Sequence, residues 1–103
     1  MAISKTEIAR IKQLRGDILF ALYNSPGNPM KLRTIELALL PSYPQIGSDM
    51  LPQINWLIDR GYIKNANPED ELSGQRAGDV LVRITDAGQD IIMGKRDEWI
   101  DVP

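Results

Sequence analysis

The chain of 103 residues contains no cysteine and no histidine. Without these residues it has no disulfide, no thiolate or imidazole metal ligand, and no catalytic triad that needs a histidine base or a cysteine nucleophile. Basic residues are not in excess either, since 12 Lys and Arg stand against 14 Asp and Glu, a formal net charge of −2. The net charge therefore provides no global positive field that would indicate a nucleic-acid partner. We expect neither a metal nor a cofactor.

Long hydrophobic runs are also missing. The longest apolar run covers residues 18–23 (ILFALY), far short of the roughly 20 residues that cross a bilayer. Residues 1–17 mix charged and apolar side chains, so we expect no secretory or transit signal. The chain has no glycine-rich phosphate loop, and its acidic run at residues 69–71 lies in a predicted polar loop where nothing would shift a carboxyl pKa. These absences predict a cytoplasmic protein that is not an enzyme and contacts no membrane.

The first helix has the clearest start in the sequence. Residues 4–7 (SKTE) fit a capping box, in which the Ser4 hydroxyl and the Glu7 carboxylate satisfy free backbone N–H groups. Isoleucines and leucines then recur at steps of three and four residues, which predicts a helix over about 4–23. The turn-forming residues 24–29 end it.

Two further helices are expected over about 32–40 and about 49–60. Ser48 or Asp49 is the candidate cap of the third helix. With Asp49 as the cap, Pro52 falls in the first turn, where its missing N–H is harmless. The remaining elements are a short strand (residues 62–64), a long polar loop (65–78), a second strand (80–84), a short helix (85–93) and a tail (95–103).

Three segments resemble winged helix-turn-helix domains. Residues 57–63 (LIDRGYI) are similar to the segment where the recognition helix ends and the first wing strand begins. Residues 82–88 (VRITDAG) resemble the strand-to-helix corner of MarR-like and PadR-like regulators, and residues 30–33 (MKLR) resemble the small strand that leads into helix 2.

The resemblance implies an α+β fold that is mainly α. It consists of a three-helix core, a two- to three-stranded antiparallel wing over about 62–84 and a short C-terminal helix, all in one domain over residues 1–94. It also implies a transcriptional regulator of bacterial or phage type that binds double-stranded DNA as a homodimer, with helix 3 at the major groove. The candidate DNA contacts are Lys31, Arg33, Gln53, Asn55, Arg60 and Arg76.

The charge distribution favours DNA binding at the N-terminal residues and disfavours it at helix 3 and the acidic loop. Six of the basic residues lie within residues 1–33, against only Glu7 and Asp17. In helix 3, periodicity places leucine and isoleucine side chains on the core side and leaves Trp56 near the middle of an outer face with two acids and one base. That face and the acidic loop are a poor surface to bring against phosphates.

The alternative is a winged-helix module that binds a protein instead of DNA. Trp56, Trp99 and Ile100 are the candidate contacts for a partner or a second subunit, because exposed tryptophans are enriched at interfaces. Trp56 could instead be partly buried by the loop at residues 41–47 or stack on nucleic acid, and the tail could fold back on helix 1.

Overall fold

The computed structural model describes residues 4–25, 29–67 and 77–103. In these ranges the chain forms four α-helices, one 3-10 turn and one three-stranded antiparallel sheet, so the predicted α+β class is confirmed. In chain order the elements are α1 (Lys5–Tyr23), β1 (Met30–Lys31), α2 (Leu32–Leu39), α3 (Ile46–Asp59), β2 (Ile63–Asn65), the 3-10 turn (Ala77–Asp79), β3 (Leu81–Ile84) and α4 (Asp86–Ile92).

Helix α1 lies at the centre of the fold and begins where the capping box predicts. The Glu7 N–H donates to the Ser4 hydroxyl oxygen at 3.1 Å. The buried side of α1 carries one continuous apolar stripe, formed by Leu14, Ile18, Leu19 and Leu22. Of the helices in the described ranges, none is both long and apolar enough to cross a membrane.

Helix α3 begins earlier than the sequence predicts, at Ile46, because that side chain is fully buried and draws the first turn into the core. Neither predicted cap is used: the Ser48 hydroxyl donates back to the Gln45 carbonyl, and Asp49 lies inside the helix. Pro52 is consequently beyond the first turn, and the prediction that it lies there is wrong. Pro52 and Ser48 are both exposed, so water can satisfy the carbonyl four residues before the proline.

The corner between α3 and β2 follows the predicted pattern. Gly61 adopts a left-handed conformation, with φ of 79°, and the Tyr62 N–H donates to the Leu57 carbonyl, which closes the helix end. The Thr85 hydroxyl donates to the Gly61 carbonyl and accepts from the Gly88 N–H, which ties this corner to the start of α4. Gly88 is needed because a Cβ there would lie 2.2 Å from the Tyr62 carbonyl oxygen.

The sheet has the order β1-β3-β2. Its inner face is buried at Ile63, Val82 and Ile84. Because side chains alternate between the faces of a strand, the residues between these inner positions lie on the opposite face.

The C-terminal segment (residues 95–103) packs across α1. Ile100 is buried in the core, with 6% of its surface exposed. The Asp101 N–H donates to the Lys12 carbonyl at 3.0 Å. The approach is so close that a Cβ at Gly16 would lie 1.8 Å from the Asp101 carbonyl oxygen. Of the two arrangements considered from sequence for this segment, the structure has the one that folds back on helix 1.

The close approach at Gly16 gives a direct test of this packing. We expect Gly16→Ala to lower the free energy of unfolding by roughly 1–3 kcal/mol, because the methyl group collides with backbone that cannot move without releasing the segment. Chemical denaturation measures the loss, and proteolysis would show increased cleavage after residue 95.

Gly47→Ala is the matched control, since a Cβ there meets nothing within 4 Å. It should be neutral or stabilise the helix by up to about 1 kcal/mol. Equal effects of the two substitutions would contradict the proposed role of the α1 contact.

Candidate nucleic-acid interface

Most basic residues of α1 make contacts inside the protein. Arg10 forms an ion pair with Asp49 on α3. The Lys12 ammonium lies 5.7 Å from the centre of the Trp99 ring, and Arg15 donates to the Trp99 carbonyl at 3.1 Å. The basic N-terminal third of the sequence is therefore not one open positive surface, because much of its charge joins α1 to α3 and to the C-terminal segment.

Trp56 is half-buried against the core, at the junction of α1 and α3. The Arg15 guanidinium lies 3.7 Å from its ring centre, and that of Arg60 lies 4.8 Å away. The Tyr62 ring packs beside it at 6.4 Å. The prediction that Trp56 lies in the middle of an outer face is wrong. Partial burial was one of the expectations for Trp56, but the groups found at the ring are these two arginines and a tyrosine.

Gln53 completes this group of residues, which we name the Trp56 cluster (Arg15, Gln53, Trp56, Arg60 and Tyr62). Only 8% of the Gln53 surface is exposed, and the Gln53 Oε1 accepts a hydrogen bond from Arg15 Nε at 2.8 Å. Gln53 was predicted on the flank of helix 3, where it could reach a base edge. In the structure it lies on the core side and its carbonyl is already bonded. Arg60 is exposed but lies over the Trp56 ring.

Asp97 in the C-terminal segment lies against the same cluster. Its carboxylate accepts from the Tyr62 hydroxyl and from the Trp99 N–H. Burial by itself raises the pKa of Asp97, but these hydrogen bonds and the cations of Arg60 and Arg15 outweigh it, so the pKa is lowered. The hydrogen bond to Asp97, together with burial, raises the pKa of Tyr62.

The outward face of α3 has no cation. Over residues 46–59 the helix contains two aspartates and neither lysine nor arginine. Its exposed positions are Gly47, Ser48, Pro52, Asn55 and Asp59. Asn55 is thus accessible, as a contact to a base edge would require, but the face around it offers nothing to attract a phosphate.

The two basic residues at the start of α2 have different surroundings. Lys31 is exposed on β1. Arg33 lies 3.7 Å from the Asp79 carboxylate, and both side chains are more than half exposed. An ion pair so exposed contributes little stability, and Arg33 stays accessible. The predicted contact Arg76 and the acidic run at residues 69–71 lie outside the described residues.

A basic surface does exist, on the outer face of the sheet. Lys31 pairs with Leu81, and Lys64 pairs with Arg83. Directly paired residues point to the same side of a sheet, and so do residues two apart on a strand. These four side chains therefore share one face, which we name the basic sheet face, and three of them are cationic.

Lys64 and Arg83 were not among the residues predicted from sequence. Each lies between inward-facing residues of its strand, in the runs IKN and LVRI. That alternation predicts that both point outward. Their pairing across residues 64 and 83 depends on the strand register, which the sequence does not specify.

The candidate partner contacts at the C-terminus differ from each other. Trp99 is 43% exposed and is accessible from outside. Ile100 is buried within the chain, so in this arrangement it cannot contact a partner or a second subunit.

Comparison of the chain with protein-family models found no match, and neither curated proteins nor solved structures gave one.

The shifted pKa of Asp97 predicts a loss of stability in acid. A carboxylate with a lowered pKa stabilises the folded chain fully above its ordinary pKa of 3.8. This stabilisation is lost as the pH falls through the lower pKa that Asp97 has in the folded state. The difference in free energy of unfolding between the parent and Asp97→Asn should therefore be constant above about pH 5 and shrink below about pH 4.

Urea unfolding at a series of pH values measures this difference. Tyr62→Phe, which removes one donor to the carboxylate, should give a smaller acid effect than the parent. Parallel stability curves for the parent and Asp97→Asn across the acid range would contradict the assignment.

The pairing of Lys64 with Arg83 predicts that the basic sheet face is not optimised for stability. Like charges directly opposite each other on a sheet repel. We expect Lys64→Glu to raise the free energy of unfolding by roughly 0.5 kcal/mol at low salt, with a smaller gain at high salt because the interaction is screened. The free energy of unfolding of Lys64→Gln should lie between those of the parent and Lys64→Glu. Thermal unfolding measures the change, and an unchanged or lowered midpoint for Lys64→Glu would count against the repulsion.

Proposed function

We propose that this chain is a winged helix-turn-helix domain that binds double-stranded DNA, as a small transcriptional regulator does. The order α1, β1, α2, α3, β2, β3, α4 supports the fold assignment. The two corners at Gly61 and Thr85 support it as well, because they occur at the segments that resemble such domains. Fold by itself does not define function, so the proposal depends on the charged surface.

The observation that carries the proposal is the basic sheet face. Neighbouring strands lie about 4.8 Å apart, so Lys31 on β1 and Lys64 on β2 flank the central strand that carries Arg83. The Lys31 and Lys64 pairs are also two residues apart along β3, so their backbone positions lie about 12 Å from each other. A few successive phosphates of one DNA strand cover such a distance. No carboxylate of the described ranges forms an ion pair with any of the three.

In this proposal the sheet supplies affinity and α3 supplies contacts to bases. Phosphate contacts position a protein on the duplex, and groups that reach base edges specify the sequence. Asn55 is the exposed side chain of α3 best suited to a base edge, since its amide both donates and accepts. A homodimer would present two such surfaces, and this would double the electrostatic contribution.

One observation favours binding to a protein as a second candidate function. Leu37 on α2 and Leu40, which caps the end of this helix, lie about one turn apart and are 60% and 43% exposed. Residues three apart are neighbours on a helix surface, so these leucines form a small apolar patch. Together with the uncharged centre of the outward face of α3, this patch suits an apolar protein surface better than DNA.

Fluorescence anisotropy with a random-sequence duplex over a salt series tests the DNA proposal. If three phosphates are neutralised by each chain, the log–log slope of affinity against salt should be about −3 per bound chain. Lys31→Gln/Lys64→Gln should reduce the magnitude of that slope by about 2 per chain, because two phosphate contacts are lost.

Lys95→Gln/Arg96→Gln is the charge-matched control. It removes the same net charge from exposed positions in the C-terminal segment and should leave the slope close to that of the parent. No binding at low salt would contradict the proposal and leave the protein-binding function. Equal slopes for the two double variants would show that the basic sheet face is not the contact surface.

A further inference from the structure

A groove of about 460 Å³ opens beside the basic sheet face, where β2 and β3 meet the start of α4. It lies at the position where Lys64 and Arg83 pair across the two strands. Its polar lining consists of Ser25, Lys64, Arg83, Thr85, Asp86 and Gln89. The groove thus combines two cations with hydroxyl and amide groups.

Arg83 is the residue that most needs a partner in this groove. Its Nε is shielded from solvent and has no hydrogen-bond partner among the residues that the structure describes. Guanidinium groups keep their protons at any ordinary pH, and an unpaired buried donor is costly. An anion in the groove would let the guanidinium turn and use Nε and Nη together on two oxygens.

Lys64 lies directly across from Arg83, and the two charges repel. In the described part of the chain, neither is within ion-pair distance of a carboxylate. An anion placed between them would remove both the repulsion and the unpaired donor. The fork of an arginine matches two oxygens of a phosphate, and a lysine adds a point charge.

The acidic side chain of the groove limits how strongly an anion is held. Asp86 lines the same groove and forms no ion pair with Lys64 or Arg83 within the described residues. Its negative charge opposes a bound anion, so we expect a weak site that acts through several contacts at once.

From these observations we propose that the groove binds a single phosphate group, held by the Arg83 guanidinium and the Lys64 ammonium. The inference deepens the proposed function and rests on it in one respect: a backbone phosphate of DNA is one source of this group. A free phosphorylated small molecule offers the same chemistry.

Titration of the full chain with inorganic phosphate, followed by NMR, tests the site. The Nε–H signal of Arg83 should shift and saturate at millimolar phosphate, while chloride at equal ionic strength leaves it in place. Lys64→Gln should weaken the phosphate affinity roughly tenfold, because one of two charge-assisted contacts is lost. Lys95→Gln/Arg96→Gln should leave it unchanged. The same small shift with phosphate and chloride would overturn the proposal.

A second variant separates the role of Arg83 from its effect on folding. Arg83→Lys keeps the charge but removes Nε and the fork, so the backbone amide shifts of Thr85 should report at least a several-fold loss of phosphate affinity. A thermal melt verifies that the variant folds. Full phosphate affinity in folded Arg83→Lys would overturn the role given to the guanidinium.

Titration with a short DNA duplex distinguishes the two sources of phosphate. A shift of the Arg83 signal at far lower concentrations of duplex than of inorganic phosphate supports the groove as a backbone contact. A response to phosphate with no binding of duplex supports the site and contradicts the DNA function. Duplex binding that leaves the Arg83 signal unmoved keeps the DNA function and overturns the groove as its backbone contact.

Discussion

The side chain of Arg15 makes the interaction on which the rest of the structure depends. Its guanidinium stacks on Trp56 of α3, its Nε bonds Gln53, and a terminal nitrogen reaches the Trp99 carbonyl. One residue of α1 thereby joins the two segments that close the core. A cation over an aromatic ring contributes roughly 0.5 to 2 kcal/mol, and more as the pair is removed from water; Arg15 and Trp56 are both half-buried. This contact also removes the charge of Arg15 from any external partner.

The fold could be predicted from sequence wherever local chemistry decides it. The serine cap of α1, the left-handed Gly61 and the threonine cap of α4 are all set within a few residues, and all three are present. The start of α3 could not be predicted in this way. Ile46 is buried by tertiary packing, and that packing outweighs the local preference of Ser48 or Asp49 for a cap position.

The candidate site was predicted less well, because it depends on which side of a helix meets a neighbour. The buried residues Met50, Gln53 and Leu57 also follow helical spacing. From sequence, however, a glutamine at such a position is assigned to the surface, because no residue nearby in the chain would bond its buried amide. Arg15 is that partner, 38 residues away along the chain. The basic sheet face depends on register in the same way, since Lys64 acquires its neighbour only when β2 pairs with β3.

The packing of the C-terminal segment on α1 has a consequence for how the protein folds. The contact between Arg15 and Trp99 spans 84 positions, and contacts of such separation must close a long loop before they stabilise anything. Helix α1 can therefore dock on α2 and α3 while its surface at Lys12 and Gly16 is still open. We expect that surface to stay exposed during synthesis until residues 95–103 are available, which makes docking of this segment a late step of folding.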